Sequence, residues 1–427
     1  LAGRQRFSLP HNLQGDANGL LFGNPVGIRV DYDLQHLMFE VAGRASALDV
    51  FRVAGTESSS MLEGTADFNG KLLLAMGTSA PAELMLTTDL EGMKINLPAQ
   101  FGKTHGERSA SVFDLTFADD YLRLDWQYKS TDGWYEIPSG PSQGVIQGAI
   151  GVNAQPIEIE PEYDGLVISG QLAAVDLVDW VAKDGGAAID LPMNWQIRGL
   201  RVGDFIVDDL SFANLTLSGQ GDSSTAVFQV RSEDIAGSID LSDPSRPEFD
   251  LLTLRLPGTG SGETALRENL DPIDLAVGRG LPRAKVFVNE LMIDKAPFGR
   301  WKFEIYPESG GVRFDIEDVL VNGVDIKDSV IHWNLEQNRS AFSGAVHVQD
   351  LAEVLPQWGY APVVTSKAAS VVGNLSWVGS PANLNLAKSE GGVSLRAEEG
   401  SFLELDGGQA GLRVVSLLNI TALTKRM

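Results

Sequence analysis

Residues 343–359, SGAVHVQDLAEVLPQWG, and residues 373–405, in which GNLSWVGSP, NLNLA, GGVSLRAEEG and SFLEL follow one another, decide the fold. The first stretch opens as a strand and passes into a short helix. There Asp350 is placed to cap the first amides, and Leu351, Val354 and Leu355 share one face. Pro356 is expected to stop that helix. The second stretch alternates: Leu375 and Trp377 fall on one side, Asn374 and Ser376 on the other. The unit is one short amphipathic helix beside a sheet that is apolar on one face and polar on the other.

The same unit occurs earlier in the chain. In GLVISGQLAAVDLVDWVAKDGG, residues 165–186, Ser169, Gly170, Asp176, Leu177 and Gly185 match Ser343, Gly344, Asp350, Leu351 and Gly359, each at an offset of 174. A helix with Leu177, Trp180 and Val181 on one side is predicted there. Asn12–Gly15 and Asp89–Gly92 form a second likeness at an offset of 77. Such self-similarity points to an internally repetitive architecture.

Most of the remaining chain reads as strands of four to seven residues. VGIRVDYDL, LMFEVAGR, LDVFRVAG, TADFNG, KLLLAMG, SVFDLTFA, YLRLDWQY, WYEI and GVIQGAIGV come first. After residue 194 follow FANLTLSG, AVFQVRS, AGSIDL, LLTLRLPG, AKVFVNELMID, GRWKFEIYP, GVRFDIED, VLVNGVDI and SVIHWNLE. Trp301, Phe303 and Ile305 share a face, as do Val312, Phe314 and Ile316, and Ile331, Trp333 and Leu335. Lys302, Glu304, Arg313, Asp315, His332 and Asn334 take the other. One-sided alternation marks an antiparallel sheet with one solvated face and excludes a doubly wound fold. The last stretch, GQAGLRVVSLLNITALTKRM, reads as a helix of three to four turns.

Composition sets the outer limits. A 427-residue chain that is 43% hydrophobic can bury a core. Its net charge of −24 opposes phosphate binding, so no nucleic-acid partner is expected. With no cysteine, disulfides, thiolate metal sites and a cysteine nucleophile are excluded. No run approaches the ~20 apolar residues of a membrane span. The chain begins at a plain Leu1 without a signal segment, and we expect it to be an excerpt of a longer protein.

A search for chemistry returns little. The five histidines, at 11, 36, 105, 332 and 347, lack metal-ligand spacing, and His332 and His347 sit on polar strand faces. Gly140-Pro141-Ser142-Gln143-Gly144 has the form of a nucleophile elbow, but it leads into a strand, where such a serine has no helix turn to sit on. The glycine-rich run at 258–262 lacks the Lys-Ser or Lys-Thr ending of a phosphate loop. The pairs Asp119/Asp120, Asp208/Asp209 and Glu398/Glu399 read as solvated turns. Asn214 and Asn374 stand in glycosylation sequons, which matter only in a eukaryotic secretory host. No cofactor, metal or catalytic residue is expected.

What remains is the apolar face. Alternation alone fits a closed barrel or sandwich, the commoner outcome. The sharper reading is an open sheet whose apolar face is filled by something other than protein. About 35 strands at ~4.8 Å each would reach on the order of 150 Å in one sheet, and so long an apolar face needs an occupant.

LSWVGSPANLNLAKSEGGVSLRAEEGSFLEL and the helix AGLRVVSLLNITALTKR resemble the C-terminal region of the AsmA-like proteins, in the YhdP branch. ISGQLAAVDLVDWV, FSGAVHVQDLAEVLPQWGY and LTTDLEGMKINLPAQFGK are similar to that family too. The resemblance lies in dispersed patterns that cover most of the chain in order. It implies a Gram-negative envelope protein, held in the inner membrane by an N-terminal helix not in this chain. Its long periplasmic β-groove would carry phospholipids towards the outer membrane without catalytic residues.

The sequence therefore predicts a mainly β, elongated, mostly antiparallel twisted sheet forming a groove, with a few short amphipathic helices. We divide it into a repetitive β segment at 1–150, a strand–helix unit and meander at 151–340, and a second strand–helix unit with terminal helix at 341–427, all in one continuous sheet. The function expected is non-enzymatic phospholipid binding and transport in the periplasm. Trp301, Phe303, Ile305, Val312, Phe314, Ile316, Ile331, Trp333, Leu335, Leu375 and Trp377 are the candidate lining. Expected partners are phospholipids, the inner membrane, and outer-membrane or periplasmic proteins. Two alternatives from other classes are a scaffold that pairs its sheet edges with outer-membrane protein strands, and a β-rich carbohydrate-active enzyme using a carboxylate pair.

Overall fold

The computed structural model describes residues 2–8, 12–21, 23–32, 35–54, 61–77, 80–98, 100–139, 146–160, 163–176, 194–207, 210–256, 275–293, 296–357, 362, 364–384 and 388–402. The chain divides into two units, Leu1–Ser224 and Thr225–Met427.

In the first unit the strands are β1 (Ala2–Ser8), β2 (Asn12–Leu21), β3 (Asn24–Tyr32), β4 (His36–Ser46), β5 (Leu62–Ala75), β6 (Ala82–Thr88), β7 (Met93–Ile95), β8 (Ser111–Phe117), β9 (Tyr121–Tyr128), β10 (Thr131–Pro138), β11 (Gln147–Val152), β12 (Gly165–Asp176), β13 (Trp195–Val207) and β14 (Leu210–Gly221). From β1 to β6, and on through β8 to β11, each strand lies antiparallel to the next. The short β7 pairs with the start of β5. β12 is parallel to β11, β13 is parallel to β12, and β14 returns antiparallel.

The second unit holds β15 (Ala226–Arg231), β16 (Ile235–Asp240), β17 (Glu248–Leu256), β18 (Ala284–Ile293), β19 (Ala296–Pro297), β20 (Arg300–Glu308), β21 (Gly311–Val321), β22 (Val324–Asn334), β23 (Arg339–Val348), β24 (Val364–Thr365), β25 (Ala368–Val378), β26 (Glu390–Glu398) and β27 (Ser401–Phe402). β18 is parallel to β17; every other neighbouring pair is antiparallel. In neither unit do the first and last strands pair with each other among the described residues. The fold is mainly β, mostly antiparallel and open, with few helices; the closed alternative is not adopted.

Several local readings are corrected. Residues 48–54 of LDVFRVAG, read as a strand, lie in the helix Ala47–Ala54. Its start is a reciprocal cap: Ser46 Oγ accepts from the Asp49 amide at 3.2 Å, and the Asp49 carboxylate accepts from the Ser46 amide at 2.9 Å. TADFNG and KLLLAMG form one strand, β5. In VLVNGVDI the chain reverses at Asn322-Gly323, whose φ angles of 45° and 77° make the two-residue turn that links β21 to β22. Pro381–Asn383 is a 3₁₀ turn, so NLNLA does not begin as a strand. The helix Leu351–Gln357 is capped as expected, Asp350 accepting from the Ala352 amide at 2.9 Å, but it runs one residue past Pro356.

The proposed repeats fare unequally. Asn12–Gly15 lies within β2, whereas Asp89–Gly92 forms a turn before β7, so that likeness does not reflect equivalent structure. Ser169-Gly170 and Ser343-Gly344 do occupy equivalent strand positions. However, β12 is parallel to both its neighbours and β23 antiparallel to both. The predicted helix at 177–181, the elbow at 140–144, the loop at 258–262, Asp208/Asp209 and the terminal helix lie outside the described residues.

Gly344 shows why a small residue is required in this unit. A Cβ there would stand 2.0 Å from Ser329 Oγ, and Ser329 is itself fully buried at the shift of register between β22 and β23. Gly344→Val should therefore destabilise the protein by about 1–3 kcal/mol through overpacking. In urea the midpoint of unfolding should fall while the slope stays unchanged.

Candidate functional site

The register of the first unit aligns its apolar residues into rows that run across the strands. One row passes from Ile28 through Val41, Gly70, Leu86, Phe113, Trp126, Gly133, Ile150 and Ile168 to Ile197. Two residues along each strand, and so on the same face, a second row passes from Val30 through Phe39, Leu72, Leu84, Leu115, Leu124, Tyr135, Gly148 and Leu166 to Trp195. No position in either row carries a charge. Each large side chain in them is half-buried, and none is fully covered.

Glycines level this surface. A Cβ on Gly133 would lie 2.1 Å from the Trp126 ring, and one on Gly148 2.8 Å from the Tyr135 ring. The two aromatic rings therefore lie over glycine on the neighbouring strand instead of standing off the sheet.

One margin of this face is covered. Val26 and Ala47 are buried where the helix Ala47–Ala54 follows β4, and Leu90 and Met93 pack on Ala66, joined by Ile95 and Tyr128. The segment 89–110 that makes this cover is pinned by a buried ammonium. Lys103 Nζ donates to the carbonyls of Leu90 and Met93 at 2.7 Å and of Thr104 at 3.0 Å. Burial pushes the pKa of Lys103 down. The Tyr128 hydroxyl donates to the Phe101 carbonyl at 2.8 Å, and burial pushes its pKa up to about 12.

The opposite face of the sheet is ionic and solvated. Arg44 grips Asp67 at 2.6 and 3.0 Å, Arg29 reaches Asp16 and Glu40, and Arg123 holds Asp125 while lying 4.5 Å over the Trp134 ring. The crossover from β11 to β12 passes on this side, since Gly151 has the Ala154 carbonyl where a Cβ would be. Ala149 and Val167, on the same side as Gly151, are buried.

The second unit repeats the pattern with more cover. The central row runs Ala284, Ile305, Phe314, Ile331, Phe342, Leu375, flanked by Phe249, Val286, Phe303, Ile316 on the same face. A further row, Trp301, Val319, Ile326, Val346, Val371, joins them through bulges. One lies opposite Lys302 and Phe303, the other between Lys327 and Val330; together they turn Ile316 and Val319 to one face although the two are three residues apart. Phe303 and Phe314 meet at 6.3 Å, and Phe298 stacks on Trp301 at 5.6 Å.

All eleven candidate residues fall on this one apolar face, but they are not alike. Trp333 is 1% exposed, because the helix Leu275–Gly280 lies directly on it: a Cβ on Gly278 would be 2.5 Å from the indole and 2.6 Å from Leu335. Val312, Ile305 and Leu335 share that cluster, and Trp377 is buried with its indole donating to the Ser380 carbonyl at 2.8 Å. Ile316 is buried with Val319. Trp301, Phe303, Phe314, Ile331 and Leu375 stay half-exposed. At the other margin the helix Leu351–Gln357 packs Val354 and Leu351 on Val348, Val324 and Ala369. Phe342 and the whole face of the first unit were missing from the candidate residues. Phe342 alternates with Gly344 in SAFSGAV, and the first unit's strands were recognised but their apolar positions were not joined across strands.

Outside the apolar face, Glu304 joins two arginines. It accepts from Arg246 at 2.8 and 3.0 Å and from Arg283 at 3.0 Å. The Arg246 hydrogen bonds hold its pKa down at about 2. Among the described residues no group of His, Asp and Glu is placed to hold a metal ion.

A family model described as YhdP protein matches residues 11–427. No curated protein matches the chain, and no solved structure does.

Since the Glu304 carboxyl is depressed in the fold, its contribution to stability is complete above the ordinary glutamate range and is lost as pH falls towards about 2. Glu304→Gln should be clearly less stable than the parent near neutrality, because Arg246 and Arg283 both lose the carboxylate they share. That difference should shrink steadily as unfolding is measured at pH values from about 5 down to about 2.

Proposed function

The chain belongs to the YhdP family, and from that premise we propose that it binds phospholipids by their acyl chains on its apolar sheet faces and passes them along. The observation that carries this reading is the pair of uncharged rows from Ile28 to Ile197 and from Val30 to Trp195, continuous in register and with none of their large side chains fully covered. Soluble proteins rarely expose a contiguous apolar surface beyond a few hundred Å² unless something binds it. Acyl chains suit this one, because the rows carry no charge and their only side-chain polar groups are the Trp126 and Trp195 indole N–H and the Tyr135 hydroxyl.

Burial supplies the driving force, at ~0.8 kcal/mol per methylene. Neighbouring strands are ~4.8 Å apart and present similar side chains, so adjacent positions along a row differ little in energy and a chain can shift from one to the next. The reaction is transfer without bond chemistry, and the protein acts as no enzyme. No described helix is long and apolar enough to cross a membrane. The setting we infer is the periplasm of a Gram-negative envelope, with phospholipid moving between inner and outer membranes.

The test is lipid extraction and mass spectrometry on protein purified from a bacterial host without detergent. Phospholipid should co-purify. Phe113→Asp and Leu115→Asp, each placing a charge in one row, should remove most of it while circular dichroism stays unchanged. Lipid-free but stable and monodisperse parent protein would overturn the reading and favour a scaffold that pairs strands at its edges.

A further inference from the structure

Resting on that acyl-chain reading, we infer that lipids lie along the strands of the first unit, their chain ends at the covered margin and their head groups leaving at the margin marked by Phe117 and Ile137. The two long margins of this face are unlike. At the first, where β3 begins and β4 ends, Val26, Ala47, Ala66, Leu90 and Met93 are buried. The cover there is held by the buried Lys103 ammonium on three carbonyls and by the Tyr128 hydroxyl on Phe101. The Tyr128 bond ties this segment to β9 and the Lys103 bonds hold it in one shape, so this margin stays shut to a charged head.

At the second margin the same apolar face ends in a further row without such cover. Phe117 pairs with Leu122 and Leu122 with Ile137, all on the face of Phe113 and Leu115. Phe117 is 42% exposed and Ile137 39%, and Met76, beyond the end of β5, is 48% exposed. The exposed apolar residues at the first margin are Leu20 and Leu21 at the end of the outlying β2, Met61 ahead of β5, and Leu48 and Val50 of the covering helix.

The dimension along the strand fits an acyl chain. Phe113 to Phe117 spans ~14 Å at ~3.4 Å per residue. One leaflet of a ~30 Å hydrocarbon core is ~15 Å deep. A chain laid from the covered margin outwards therefore brings its glycerol and phosphate to solvent just past Phe117 and Ile137. A chain laid across the strands would instead bring its head group to no fixed margin.

Two phosphatidylcholine probes test this, one with a diazirine on the choline and one with a diazirine at the acyl terminus. Each is loaded into the protein, irradiated, and mapped by peptide mass spectrometry. The head probe should label residues 116–122 and 136–139 several-fold more than residues 89–95 and 128–131, and the tail probe should show the reverse. Head labelling at the covered margin, or equal labelling of both margins by both probes, would overturn the assignment while leaving acyl binding intact. Labelling by neither probe would remove the acyl reading and this inference with it.

Discussion

Everything in this chain depends on register. A strand's side chains alternate, so a slip of a single residue against its neighbour would send its whole apolar set to the solvent face. Here the apolar set of one strand meets that of the next again and again. Val41 faces Ile28, Phe113 faces Leu86, and Ile168 faces Ile150. Where the count would fail, a bulge repairs it, as at Lys302/Phe303 and Lys327/Val330. The charged pairs of the outer face, such as Arg44 with Asp67 and Arg29 with Glu40, are fixed by the same register but, being exposed, contribute little stability.

Cover is placed selectively. The helices Ala47–Ala54, Leu275–Gly280 and Leu351–Gln357 and the segment 89–110 all lie at margins of an apolar face. The β11–β12 crossover lies on the ionic side instead. An ordinary sandwich would lay a second sheet over the middle of the apolar face. In each unit large side chains of the middle rows, such as Trp126 in the first and Phe314 in the second, are left only partly covered.

The period-two pattern made the class of fold legible, because alternation is local and survives in a single strand. The face of Phe303, Phe314 and Ile331 was legible for the same reason. What the sequence hid was information carried between strands. The match of Phe113 with Trp126, or of Leu166 with Trp195, exists only once register is known. Val319 and Val321 were hidden by a bulge that breaks the alternation. LDVFRVAG was misread because its branched and aromatic residues favour a strand, although Ser46-x-x-Asp49 carried the capping signature of a helix. Nor did alternation distinguish Trp333, sealed beneath Gly278, from Phe314, which is not; both alternate perfectly, and only the covering helix separates them.

The glycines beneath Trp126 and Tyr135 bear on friction. If a ring there were propped upright by a Cβ on Gly133 or Gly148, it would stand as a rib across the path between strands, and a molecule moving past would have to climb it. Laid flat, the rings fill the surface without raising it. For a lipid bound as proposed, motion from strand to strand would be a one-dimensional random walk over shallow steps, whose rate is set by the highest step and not by the average depth of binding.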